Sequence, residues 1–139
     1  MKLLCFQAKR FRWKTHSKTL TEVPDQELEQ EVREAVVAFV HSETGDMAQA
    51  REASILRQST KHLRWLANKR DLHNIVLHSF THLGGDSADP ARANVFLRAV
   101  AERLRETGYR VWLTPFGYLC EWDLSVYGES LAKVWKEIH

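Results

Sequence analysis

Only two cysteines, Cys5 and Cys120, occur in the 139 residues, and they form no CxxC pair. That excludes a disulfide framework and points to a cytoplasmic chain with reduced thiols. No apolar run approaches the roughly 18 residues a membrane-spanning helix needs, and the patch from Leu3 to Phe6 is too short for a signal peptide. The three prolines and six glycines build no linker-like stretch, and there is no repeat or low-complexity tract. The first twenty residues lack a carboxylate entirely while carrying Lys2, Lys9, Arg10, Arg12, Lys14 and Lys18. Residues 22–34 reverse this, with Glu22, Asp25, Glu27, Glu29, Glu31 and Glu34 against Arg33 alone. What is there otherwise is ordinary: 44% hydrophobic and 27% charged residues, the composition of one globular domain able to bury a core.

The basic block "AKRFRWKTHSK" interleaves Phe11 and Trp13 with Lys9, Arg10, Arg12 and Lys14. That mixture suits a nucleic-acid backbone plus a stacked base. Solvated surface charge is the plainer alternative.

Along the chain, residues 2–8 and 10–15 read as two strands, the second alternating through Phe11 and Trp13. "REAVVAFVHSE" has the nearly continuous apolar run of a strand covered on both faces. Residues 46–69 read as a helix with Ile55, Ser59, His62, Leu63 and Leu66 along one stripe. "NIVLHSF", 74–80, is a short buried strand. Asp89 then caps a helix with Pro90 at its first position, a stripe of Ala91, Val95, Ala99 and Leu104, and Gly108 as its stop. "YRVWLT" is the next strand, and Pro115 and Gly117 turn it into another. There Tyr118, Cys120, Trp122 and Leu124 share one face, so Cys120 is expected to point inward. A final helix over 129–138 carries Leu131, Val134, Trp135 and Ile138 on one side, with Lys133 opposite. The order predicts a single α/β domain with a mixed sheet and helices packed over it.

Two stretches carry a resemblance. "VLHSFTHLGGDSADP" is similar to the strand–loop–helix signature of the archaeal threonyl-tRNA synthetase editing domain. "LTPFGYLCEWDLSVYGESLAK" resembles that family's second signature. The resemblance covers nearly the whole chain and implies a D-aminoacyl-tRNA deacylase-like fold, usually a homodimer, here as a domain standing without its synthetase. It implies hydrolysis of tRNA(Thr) mischarged with serine, with tRNA and a threonyl-tRNA synthetase in trans as partners and no cofactor or metal. Backbone at Thr81, Phe116 and Gly117, next to Pro115, would hold the aminoacyl end, with the side chains of His82 and Tyr118. The basic block would then track tRNA phosphates.

The departures matter as much. The family's water-positioning lysine falls at Cys120, and a glutamate lining the pocket falls at Lys133. A lysine there, about 5 Å from a substrate ammonium, would repel it by roughly 3 kcal/mol at an effective dielectric near 20. Cys120 is therefore read as a small inward residue, with two alternatives open: a substrate contact, or a nucleophile with His82 as base. A zinc site built from His73, His78, His82 and Cys120 is disfavoured because the strand breaks between residues 78 and 82. Besides the deacylase, two functions stay open: an inactive module of the same fold that binds tRNA or a partner, and a thiol hydrolase acting through Cys120.

Overall fold

The computed structural model describes residues 1–139, and its longest element shows how the sheet is built. Strand β1 runs Lys2–Lys18 without interruption, where two strands were expected. Its early residues alternate, Leu3 and Cys5 facing one side of the sheet and Leu4, Phe6 and Ala8 the other. At Lys9 the pairing with a later strand slips by one residue, so the parity reverses and Phe11 and Trp13 stay with Phe6 and Ala8. A bulge of this kind bends a strand without ending it. The partner strand β2, Glu29–His41, reverses at the same point, where Glu34 takes a φ of 50° opposite Lys9. Beyond it, Val36, Ala38 and Val40 face one layer while Ala35, Val37 and Phe39 face the other, so both sides are apolar.

After a short 3-10 turn at Thr44–Met47, helix α1 (Gln49–Asn68) leads to β3 (Asn74–Ser79), helix α2 (Pro90–Glu106) and β4 (Arg110–Leu113). Strand β5 is Tyr118–Val126, and β6 is Lys133–Glu137 after one 3-10 turn at Ser130–Ala132. The six-stranded sheet is ordered β4-β3-β2-β1-β5, with β6 also on β1. The pairs β2–β3 and β3–β4 are parallel, and every pair made by β1 is antiparallel. The expected α/β fold with a mixed sheet and helices packed over it is thus the observed one.

The helices pack on one side of the sheet over the larger core, in which Ile55, Leu63 and Leu66 of α1 meet Phe96, Leu97 and Leu104 of α2. Burying each such side chain is worth about 1.5–3 kcal/mol. Asp89 caps α2 as expected, its carboxylate accepting from the Arg92 N–H at 3.2 Å. The buried stripe differs from the expected one: Ala93, Phe96, Leu97, Val100, Ala101 and Leu104 face inward, and Val95 is 64% exposed. The row with the greater aromatic and aliphatic bulk takes the core.

The expected C-terminal helix is a second correction. Residues 133–137 form a strand because the outer edge of β1 from Lys2 to Phe6 is open to them, and Val134 pairs with Cys5 and Trp135 with Leu4. Closing an exposed edge outweighs the helical spacing of the apolar residues. On the face away from the helices lies a second, aromatic core of Phe11, Trp13, Val37 and Phe39, edged by Phe80, Cys120 and Leu124.

Candidate active site

At the ends of β3 and β4 the chain leaves the sheet in two loops, 80–89 and 114–117, and between them lies a cavity of about 520 Å³. Thr81 and His82 from the first loop line it, as do Pro115, Phe116 and Gly117 from the second and Tyr118 and Cys120 from β5. Seven of the residues singled out from sequence therefore converge. A wider groove of about 800 Å³ runs beside it along Lys14–Lys18 and residues 25–29. That groove is shallow and charged, and of the seven it shares only Tyr118.

Both loops are held by named contacts. Gly117 has φ +80°, which only glycine adopts freely, and a Cβ there would lie 2.9 Å from Val23 Cγ1. Its carbonyl accepts from the Thr19 N–H at 2.7 Å. The Tyr118 hydroxyl donates to the Pro24 carbonyl at 2.8 Å and accepts from the Gln26 N–H at 2.9 Å. That hydroxyl is committed, so Tyr118 presents only its ring to the cavity. On the other loop, the buried His41 accepts at Nδ1 from the Leu83 N–H (3.1 Å) and donates from Nε2 to the Asp86 carbonyl (2.6 Å).

Cys120 is half-buried, makes no hydrogen bond, and burial pushes its thiol above the ordinary value. No cation lines the cavity to activate it. His82 is exposed, its ring edge-on to Phe80 at 5.1 Å, with no hydrogen-bond partner to orient it. Neither has the geometry of a nucleophile–base pair.

The residue that sequence reasoning weighed only as a metal ligand is His78. It is 6% exposed, packed against Phe39, Phe80 and Trp122 at ring separations of 5.2–6.2 Å. Its Nδ1 lies 2.7 Å from Thr114 Oγ1. Burial pushes its pKa down to about 4, so the ring is neutral at pH 7. A polar residue at an inward position of an otherwise apolar strand was the available signal. His73, at the other end of that strand, lies beside Asp71 instead.

Five expected contacts fall outside the cavity. Lys133 opens β6, is exposed, and directs its Nζ to the carbonyls of Gly128 (3.2 Å) and Glu129 (3.5 Å). It neither lines the cavity nor repels anything in it, and the helical geometry that placed it opposite an apolar stripe does not exist. Arg10 pairs with Glu31, and Arg12 is surrounded by Glu29, Glu121 and Asp123. The opposed charge blocks of the sequence neutralise one another across β1 and β2. Lys9 sits over the Tyr127 ring at 5.5 Å, and Lys14 has no carboxylate partner. Phe11 and Trp13 are fully buried and cannot stack on a base. No helix is long and apolar enough to cross a membrane.

Comparison with known proteins bears on the family and the fold. The chain is 28% identical over 140 residues to the threonine–tRNA ligase of Methanosphaera stadtmanae, covering 99% of this chain and 22% of that protein. With the threonine–tRNA ligase of Pyrococcus horikoshii it shares 29% over 116 residues, 84% of this chain and 18% of that one. The chain thus spans about a fifth of the length of these relatives. Among solved structures, the c-Myc DNA Unwinding Element Binding Protein superposes with a TM-score of 0.69 at 13% identity, covering 100% of this chain and 99% of that one, which speaks to the fold alone. The archaea-specific editing domain of threonyl-tRNA synthetase matches residues 1–138, and the chain belongs to that family.

Proposed function

We propose that this domain is an aminoacyl-tRNA deacylase that removes serine from mischarged tRNA(Thr). The observation that carries the reading is the convergence of Thr81, His82 and the Pro115–Tyr118 turn on one half-open cavity. The chemistry has a clear need. Serine lacks one methyl of threonine, and excluding a smaller analogue by binding gains only about 1–3 kcal/mol. A separate hydrolytic site supplies the remaining discrimination. A threonyl-tRNA synthetase acting in trans in the cytoplasm would supply the charged tRNA. The protein acts as a homodimer through the aromatic face, where Trp122 and Trp135 are 38% and 49% exposed. Light scattering that gives a monomer mass at tens of micromolar would exclude that assembly.

One observation favours a second reading, a module that binds the tRNA end without hydrolysing it: Cys120 stands in the cavity with no charged neighbour to help a water attack. Deacylation of a panel of mischarged tRNAs separates the two. Release of serine from seryl-tRNA(Thr) faster than the uncatalysed rate supports the deacylase; binding with no release on any member of the panel supports the module.

The ion pairs also refine which bases meet tRNA. Lys14→Gln should flatten the log–log salt dependence of binding by about 0.7–0.9, one phosphate contact. Arg12→Gln should leave the slope unchanged, since its charge is already met by three carboxylates. Equal slopes in wild type and Lys14→Gln would remove β1 from the tRNA interface.

A further inference from the structure

The cavity holds four titratable side chains, His78, His82, Tyr118 and Cys120, and no carboxylate, lysine or arginine. Three of them are unsuited to move a proton. Tyr118 spends its hydroxyl on residues 24 and 26. Cys120 is a protonated thiol without an activating partner. His82 has no group to hold its ring. His78 differs in every respect. Its ring is clamped by Phe39 from β2, Trp122 from β5 and Phe80 from the following loop. Its Nδ1 is held by Thr114, its Nε2 has no hydrogen-bond partner in the protein, and the residue lines the cavity. A base oriented by a third group, with its second nitrogen free, is the arrangement that activates a nucleophile.

We propose that His78 is the general base of the deacylation, oriented by Thr114, in the cavity where Cys120 supplies no charge. The inference rests on the deacylase reading above. With Nδ1–H donating to Thr114 Oγ1, Nε2 carries the lone pair. A water gives its proton to Nε2 while its oxygen attacks the ester carbonyl carbon. The tetrahedral intermediate collapses, the bond from that carbon to the ribose oxygen breaks, and the imidazolium returns the proton to the departing oxygen. One water is consumed, and free amino acid and tRNA with a free terminal hydroxyl are released. The groups facing His78 are Thr114 after β4, Cys120 and Trp122 on β5, Phe39 on β2, and Phe80 and His82 after β3; none carries a fixed charge. Its neutral form therefore persists down to about pH 4.

The test is single-turnover hydrolysis of seryl-tRNA(Thr), with affinity measured in parallel, by wild type, His78→Phe, Thr114→Val and Thr114→Ser. His78→Phe keeps a ring of similar shape and removes both nitrogens. It is expected to slow hydrolysis by about 10²–10⁴-fold, the usual contribution of a general base, with tRNA affinity unchanged. Thr114→Val leaves the imidazole unoriented and costs about tenfold or more, while Thr114→Ser restores the hydroxyl and the rate. The wild-type rate falls as pH drops toward about 4, and that limb is absent from His78→Phe. A folded His78→Phe within threefold of wild type overturns the assignment and leaves the deacylase standing. If His78→Phe fails to fold, Thr114→Val decides, and a wild-type rate and pH limb there overturn it. A wild type that binds the tRNA and releases no serine overturns the deacylase reading, and the assignment with it.

Discussion

Cys120→Ser is expected to hydrolyse seryl-tRNA at close to the wild-type rate, and Cys120→Lys about 10²–10³-fold faster, the effect of restoring one preorganised group at a reacting centre. The first half follows from the thiol itself, which burial holds in its protonated form with no hydrogen bond and no cation beside it. A nucleophile needs the thiolate, and no base, His78 included, is within hydrogen-bond reach of the thiol to take its proton. The second half follows from the vacancy in charge. A lysine at 120 projects from the same inward face of β5 into a cavity that has no other ammonium, because Lys133 lies on β6 with its Nζ on backbone carbonyls. Partial desolvation lowers the pKa of such a lysine, and its amine can hold the attacking water in line with His78. Single-turnover rates of the three proteins decide the matter. Abolition by the serine change in a folded protein means the thiol does chemistry. Silence in all three, with tRNA still bound, means the domain only binds.

Trp13→Ala is expected to lower stability by about 3–5 kcal/mol, the cost of emptying a large aromatic site in a packed core. Trp13 is fully buried, with its ring 5.5 Å from Phe11, whose own ring lies 6.5 Å from Trp122. Its indole N–H is buried without an acceptor, so Trp13→Phe retains most of the packing, sheds an unsatisfied donor and loses far less. Thermal melts of the two variants measure the difference. The affinity of folded Trp13→Phe for tRNA stays at the wild-type value. A large loss of affinity with little change in melting temperature would return Trp13 to the role of a base-stacking residue.

These outcomes mark where the sequence was legible. Asp89, Pro90 and Gly108 bound α2 by local chemistry alone, and the apolar run of β2 announced a strand covered on both faces. The two motifs placed Thr81, His82 and Pro115–Gly117 on loops that meet, with Tyr118 and Cys120 opening the strand that follows, because such loops follow directly from strand ends. What failed was whatever depends on a distant partner. Residues 133–137 have helical spacing, yet they take the edge of β1. Arg10 and Arg12 look free until β2 brings Glu31 and Glu29 alongside. Lys9 looks like the gap between two strands, and only pairing shows it to be a bulge within one. His78 reads as a polar interruption of a strand until Thr114 arrives from beyond β4 to hold it.

Strand β1 carries a temporal consequence. Lys2–Phe6 pair outward with Glu137–Lys133, and Ala8–Lys18 with Val126–Tyr118, so one edge of β1 is completed only by strands that follow it much later in the sequence. On a ribosome, that edge stays open with Leu4, Phe6 and Phe11 uncovered while the intervening residues are made. Pairings of such separation bear the full entropy of loop closure before any contact rewards them, which places the domain among slow folders. During that interval the nascent β1–β2 ribbon is a template for the wrong neighbour. Arg10 and Arg12 are met by Glu31 and Glu29 within the ribbon, so it falls to Lys9 and Lys14, the cations β2 leaves without a carboxylate, to keep like copies apart until β5 and β6 emerge.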